Sequence, residues 1–249
     1  MDLADLRRQL PDIPQRDGVR GVIVASAGNV HTGAVDPLTP LADIAAEHGL
    51  WLHVDGAYGG CFALADAPEL VGLERADSVV LDPHKGLFQP YGIGAVLLRD
   101  GRRLYAAHSD QHAYIDEADH PDPSAMHRSP ELSRHFRALR LWLSVQLAGT
   151  DAFRAALAQR LLLARWVYAA LQSVDGVTLG PPPELSIVCF RFTRHSQREA
   201  VARLRSDHDH FLTTTTLHGV VWVRLVVLSA AVSLESLRAA VEAVRATAR

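Results

Sequence analysis

The sequence predicts an α/β fold, a mostly parallel sheet with helices, followed by a smaller α+β unit. Three observations predict it. Residues 50–54 and 78–81 are short, unbroken apolar runs, which suit parallel strands buried on both faces. From Gly21 onward, strand-like and helix-like segments alternate as in βαβ units. After Gly149 the pattern changes to helices among short strands joined by turns, which reads as α+β. The expected units are residues 1–148 and residues 149–249.

Taken in order, residues 3–10 read as a short helix, followed by a polar link containing proline. Residues 21–26 (GVIVAS) form the first strand, and residues 27–38 form a long loop at its carboxyl end. Residues 41–48 form a helix in which Leu41, Ile44 and Ala45 share a face, and Gly49 closes it. The strands 50–54 and 78–81 come next, then a further strand over 92–99 and a turn at Asp100-Gly101. Residues 104–126 are rich in His, Asp and Pro and show no periodicity, so they are a functional loop or a disordered one.

Ser129, Pro130 and Glu131 predict the start of a helix that runs to about Leu147. Phe136, Leu139, Leu143 and Leu147 fall on one stripe of it, while Arg134, Arg137 and Arg140 read as a solvated face. A helix over 150–172 follows, then strands over 177–179 and 187–192, a helix over 197–206, and strands over 211–216 and 220–228. A helix over 234–248 ends the chain. Arg224 is the lone charge in the strand 220–228; burying it unpaired is costly, so it is expected to meet a carboxylate or to face outward, with a structural salt bridge preferred.

At 249 residues the chain can bury a large core. A formal charge of -3 argues against a nucleic-acid footprint. Cys61 and Cys189 lie in apolar segments and read as buried free thiols in a reducing, cytoplasmic compartment. Residues 1–15 lack the apolar core of a signal peptide, and no apolar run reaches membrane-spanning length. His208-Asp209-His210 has a chelating look but lies on a polar loop far from the strand ends, so no metal site is assigned.

Ligands of open α/β sheets bind beyond the carboxyl ends of the strands. The first apolar run leads there into Asp55, and the second into Asp82-Pro83-His84-Lys85. Asp55 and the His84-Lys85 pair are therefore expected to project into one crevice. A carboxylate in that place can hold a protonated ring nitrogen. A lysine packed beside histidine and apolar groups can lose its proton and attack a carbonyl. Either residue alone is more simply a surface group. Together, at the ends of two strands, they fit pyridoxal 5′-phosphate.

Residues 53–60 read HVDGAYGG and residues 82–85 read DPHK. These resemble the group II pyridoxal-phosphate decarboxylases, whose motifs read close to HVDAAYGG and D/N-P-H-K-W. The family includes aromatic-L-amino-acid, histidine and glutamate decarboxylases. The resemblance extends from about Ile23 to the C-terminus. It implies the C-terminal part of a fold-type I large domain plus a small C-terminal domain, with 92–99 as an antiparallel edge strand. It implies decarboxylation of an L-amino acid to an amine and CO2. Lys85 becomes the Schiff-base lysine, Asp55 the partner of the pyridine nitrogen, and His84 the neighbour that tunes the lysine or meets the phosphate. Ala57 and Asn29 become cofactor neighbours. Tyr114, on the loop and at the matching spacing from Lys85, becomes the donor of a proton to the substrate carbon. The segment 130–142 is implied to lie near a subunit interface, and Arg224 matches an arginine of the family.

Two departures stand out. Where the family reads near GTTNTGAVDP, this chain has Gly28-Asn29-Val30-His31-Thr32. Val30 offers methyls in place of a threonine hydroxyl, with Asn29 or His31 as substitutes, although His31 is more simply a loop histidine. The resembled enzymes are also far longer. Their phosphate-binding Gly/Ser-rich turn, the histidine that stacks on the ring, the first strands and the N-terminal helices have no counterpart before Gly21. With Met1 taken as a natural start, the chain reads as a C-terminal portion: a truncated gene, a late-called start, half of a split enzyme, or a degenerate relative. It is expected to bind the cofactor weakly alone, and to form a homodimer or to assemble with the missing N-terminal half. The alternatives are another pyridoxal-phosphate chemistry on the same fold, or a non-catalytic partner of a full-length homologue.

Overall fold

The computed structural model describes residues 1–12, 21–108, 125–208, 210 and 212–249. Two four-stranded sheets organise them. The first contains β1 (Val22–Ser26), β2 (Trp51–Gly56), β3 (Ser78–Leu81) and β4 (Ala95–Leu98) in that order. The β1–β2 and β2–β3 pairs are parallel, and β4 returns antiparallel at the edge. The register sets Ser26, Asp55, Val80 and Val96 in one row across the sheet.

One face of this sheet is packed as the apolar runs predict. Ile23, Ala25, Leu52 and Val54 are buried there, against Leu38, Leu41 and Ile44 of α2 (Leu38–Glu47). Short helical turns from Gly60 to Arg75 extend that layer and, with Val79, Leu81 and Leu97, line an open apolar pocket of about 750 Å³. The other face departs from the expectation of burial on both sides. Val22, Val24 and Val96 are 56–57 % exposed, although the side chains of parallel strands ordinarily meet a helical layer there.

Helix ends follow local chemistry. Asp2 accepts from the backbone N–H groups of Ala4 and Asp5 and so opens α1 (Leu3–Gln9). Pro83 opens the single turn α3 (Pro83–Gly86), which directly follows β3. A short helix, α4 (Arg102–His108), occupies a stretch for which the sequence predicts turn and loop.

The helix predicted from Ser129 begins later, as α5 (Ala138–Ala148). The Ser129 hydroxyl instead accepts from the Glu131 N–H at 3.0 Å, and the Glu131 carboxylate binds the Arg137 guanidinium at 2.9 Å. These local bonds compete with the first helical turns. The apolar stripe lies open: Phe136 is 73 % and Leu147 86 % exposed.

The second sheet has the order β5-β6-β8-β7 and is antiparallel throughout. Its strands are β5 (Val177–Leu179), β6 (Ile187–Phe192), β7 (Thr213–Leu217) and β8 (Val220–Val226). It shares a core with α6 (Thr150–Gln172), α7 (Gln197–His208) and α8 (Leu234–Ala248). A Ser233–Ser236 capping box starts α8. Arg160 is buried in α6 and donates to the carbonyls of Ser229 and Val232, tying down the loop before α8; burial lowers its pKa.

The two sheets share one apolar cluster, in which Ala27 and Tyr58 join Leu157, Leu161, Leu185 and Ile187. Among the described residues no helix is long and apolar enough to cross a membrane.

Candidate functional site

The carboxyl ends of β1, β2 and β3 point to the same edge of the parallel sheet, and Asn29, Asp55, Ala57, His84 and Lys85 lie at or just beyond those ends in the chain. Asp55 is the penultimate residue of β2. Its side chain is exposed, and its Oδ1 accepts from the Ala57 N–H at 3.0 Å. Ala57 is half-buried, so its backbone fixes the carboxylate while the methyl stays small beside it. Lys85 lies on α3, immediately beyond β3, the strand paired with β2. Its side chain is 41 % exposed.

The seat of α3 is tight. A Cβ on Gly86 would lie 2.5 Å from the Cys61 Cβ, so only glycine fits there. Burial first, and the negative charge of Asp82 second, push the Cys61 thiol up to about 11. His84 is anchored by a 2.7 Å bond between Nδ1 and the Ile93 carbonyl. With Nδ1 as donor, Nε2 is turned to Asp82 Oδ2 at 3.8 Å. The edge of Tyr91 meets the His84 ring, with centroids 5.2 Å apart.

Asn29 works inside its own loop. Its Oδ1 accepts from the N–H groups of His31 and Thr32 and from the Thr32 hydroxyl. His31 is exposed, yet its Nδ1 meets the Thr215 hydroxyl at 2.6 Å, which joins the loop after β1 to the second sheet. Tyr114 lies outside the described residues. Arg224 forms no salt bridge among the described residues; its charge bears instead on Tyr58 and Cys189. The salt bridge expected of it is therefore not found there. The Tyr58 hydroxyl is bonded to Ser186 Oγ at 2.6 Å, and burial pushes its pKa up to about 12.

Sequence reasoning missed one participant. Asp82 Oδ2 lies 2.7 Å from the Lys85 Nζ. The signal was present, an acid three residues before the lysine across a helical turn, a spacing that brings side chains together.

A parallel sheet with an antiparallel edge strand, a lysine-bearing turn after its third strand and a small antiparallel unit behind it is the architecture of the C-terminal portion of a fold-type I pyridoxal-phosphate enzyme. Residues 1–193 match the pyridoxal-dependent decarboxylase conserved domain, and the chain belongs to that family.

Among its relatives, the aromatic-L-amino-acid decarboxylase of Bacillus atrophaeus is 34% identical over 240 residues, which covers 90% of this chain and 50% of that protein. The L-2,4-diaminobutyrate decarboxylase of Rhizobium meliloti (strain 1021) is 31% identical over 261 residues, covering 100% of this chain and 52% of that protein. The crystal structure of mouse CSAD superposes with a TM-score of 0.87 at 26% identity, covering 100% of this chain and 56% of that one. The chain thus spans about half the length of the relatives it matches.

Proposed function

We propose that this chain carries the lysine-and-carboxylate half of a pyridoxal-phosphate-dependent decarboxylase that converts an L-amino acid to an amine and CO2. The observation that carries the reading is the placement of Asp55 and Lys85 at the carboxyl ends of directly paired parallel strands, in a chain of this family. The residues present fit the ring end of the cofactor. Asp55 is an exposed carboxylate already oriented by Ala57, and Lys85 is an accessible amine on a rigid turn. The cofactor, when bound, supplies an electron sink for the pair released as a substrate carboxylate departs.

In this reading each residue has one task. With the cofactor bound, Lys85 Nζ would be the atom that holds it covalently. Asp55 keeps a proton on the ring nitrogen, which is what lets the ring accept electrons. His84, pinned at Nδ1, packs beside the lysine and limits where its stem can swing. Ala57 holds the Asp55 carboxylate, and Asn29 shapes the loop bordering the site. Tyr114 delivers the proton that replaces the carboxyl group. We place the division between the large and small units at Gly149.

The substrate is an amino acid; relatives carry the names of aromatic and diamino acid decarboxylases. The uncovered sheet face and the open stripe on α5 support an assembly, either a homodimer or a complex with a chain supplying the other half of the fold. Two buried free thiols support a reducing, cytoplasmic location. The same uncovered face also favours a second reading, a partner subunit without turnover of its own.

The test is borohydride trapping after incubation with pyridoxal phosphate, followed by peptide mapping. The adduct is expected on Lys85 and is lost in Lys85→Ala. Labelling scattered over surface amines would refute the reading. Release of CO2 without keto acid, measured on the assembled enzyme, separates decarboxylation from amino transfer.

A further inference from the structure

We propose that Asp82 is a positioning residue for Lys85, an ion-pair partner that holds the ε-ammonium until an aldehyde claims the nitrogen. The proposal rests on the reading of Lys85 as the cofactor-linking residue. Its geometric basis is the 2.7 Å contact between Lys85 Nζ and Asp82 Oδ2. The contact is built into the turn. The Lys85 and Gly86 N–H groups both bond the Asp82 carbonyl, which places the two side chains on the same side of α3.

Asp82 takes an extended backbone conformation and does not cap α3, so its carboxylate is free to face the lysine. It is the more enclosed partner, with 18 % of its side chain exposed against 41 % for Lys85. Among the described residues, Lys85 supplies the one donor within hydrogen-bond distance of that carboxylate. His84 stands further off at 3.8 Å, tethered to Ile93, and cannot take the place of the lysine. Gly86 packed on Cys61 keeps the turn from sliding to relieve the pair.

The chemistry gives this contact a consequence. An ammonium has three donors and no lone pair. Before it reacts, Lys85 must leave Asp82 and release one proton to solvent base. The amine then adds to the aldehyde carbon, a C–N bond forms, and the aldehyde oxygen departs as water with the two remaining amine protons. The negative carboxylate attracts the ammonium across the ion pair, so it slows this step relative to an uncharged amide at the same position. Asp82 therefore sets how readily Lys85 is captured and keeps it from casual modification.

The experiment uses the full chain and phosphate-free pyridoxal, which probes the lysine without phosphate anchoring. The rate of borohydride-trapped adduct at Lys85 is read by peptide mapping at neutral pH. Asp82→Asn is expected to raise that rate by about two- to fivefold, the effect of removing a half-exposed ion pair. Asp82→Glu restores the carboxylate and is expected to return the rate toward the parental value, with the urea midpoint unchanged in both.

Equal rates in the parental chain and Asp82→Asn, or a slower rate in the variant, would overturn the proposal. Failure to label Lys85 in the parental chain would instead overturn the reading of Lys85 itself. If Asp82→Asn does not fold, the parental chain suffices: screening of a half-exposed pair makes the Lys85 rate rise with salt, and a flat salt dependence would overturn the proposal.

Discussion

Replacing Tyr58 by phenylalanine tests the link between the two sheets. The Tyr58 ring is 8 % exposed, and its hydroxyl meets Ser186, which is wholly buried. The substitution keeps the ring and removes one oxygen, which leaves Ser186 Oγ without its partner in an apolar setting. A buried hydroxyl stranded in this way costs about 1–3 kcal/mol. In a chain of this length each kcal/mol lowers Tm by about 2–4 °C, so a cost of about 2 kcal/mol gives a drop of roughly 4–8 °C. Ser186→Ala strands the tyrosine instead and costs a similar amount. The double variant removes both polar groups and is expected to cost no more than either single change. Urea unfolding followed by circular dichroism reads all four corners of this cycle. A single variant within about 0.3 kcal/mol of the parental chain, or full additivity in the double variant, would refute the reasoning.

Three further outcomes follow from the packing. Burial pushes Cys61 and Cys189 up to about 11 from an ordinary 9.0, so the folded chain keeps both protons longer than the unfolded one does. That stability is whole below pH 9 and is lost as pH rises toward 11, by about 2–3 kcal/mol per thiol; urea midpoints across this window should fall, and a Cys61→Ala, Cys189→Ala chain should fall less. Gly59→Ala puts a methyl against the Ala27 carbonyl and the Leu185 side chain, and thermal unfolding should show a loss of about 1–3 kcal/mol or more. Lysine at both Val22 and Val24, which are exposed on the uncovered face, should reduce self-association in sedimentation while leaving the unfolding midpoint within about 0.5 kcal/mol.

Much of the fold was legible in the sequence because it is written in local periodicity. The apolar runs located β2 and β3, and the strand after the lysine sits at the antiparallel edge as the resemblance implies. Ser129 misled because a serine side chain can close a local turn as readily as it caps a helix, and here the Glu131 N–H takes it. Burial on both faces, expected from the runs 50–54 and 78–81, does not extend to their neighbours Val22 and Val24. An apolar strand states what its faces require, and here one of them is left bare among the described residues. Of the site, Asp55 and Lys85 were visible as motif residues at strand ends. The contacts joining distant parts of the chain were not, because nothing in a one-dimensional pattern pairs Tyr58 with Ser186 or His31 with Thr215. Asp82 was visible three residues before Lys85, a spacing that brings the two side chains together once the turn α3 forms.

The packing of Gly86 on Cys61 makes the thiol a reporter. Cys61 is 3 % exposed beneath the turn that bears Lys85, so its reaction with a thiol reagent is slow until its surroundings open. In a Cys189→Ala background, the reaction rate at moderate reagent concentration is the opening equilibrium multiplied by the reactivity of a free cysteine, the same logic that governs amide exchange from locally unfolded states. Anything that settles on the lysine turn and holds it closed will slow the reaction in proportion. Cys61 thus times the breathing of the site from below, with no cofactor, substrate or turnover required.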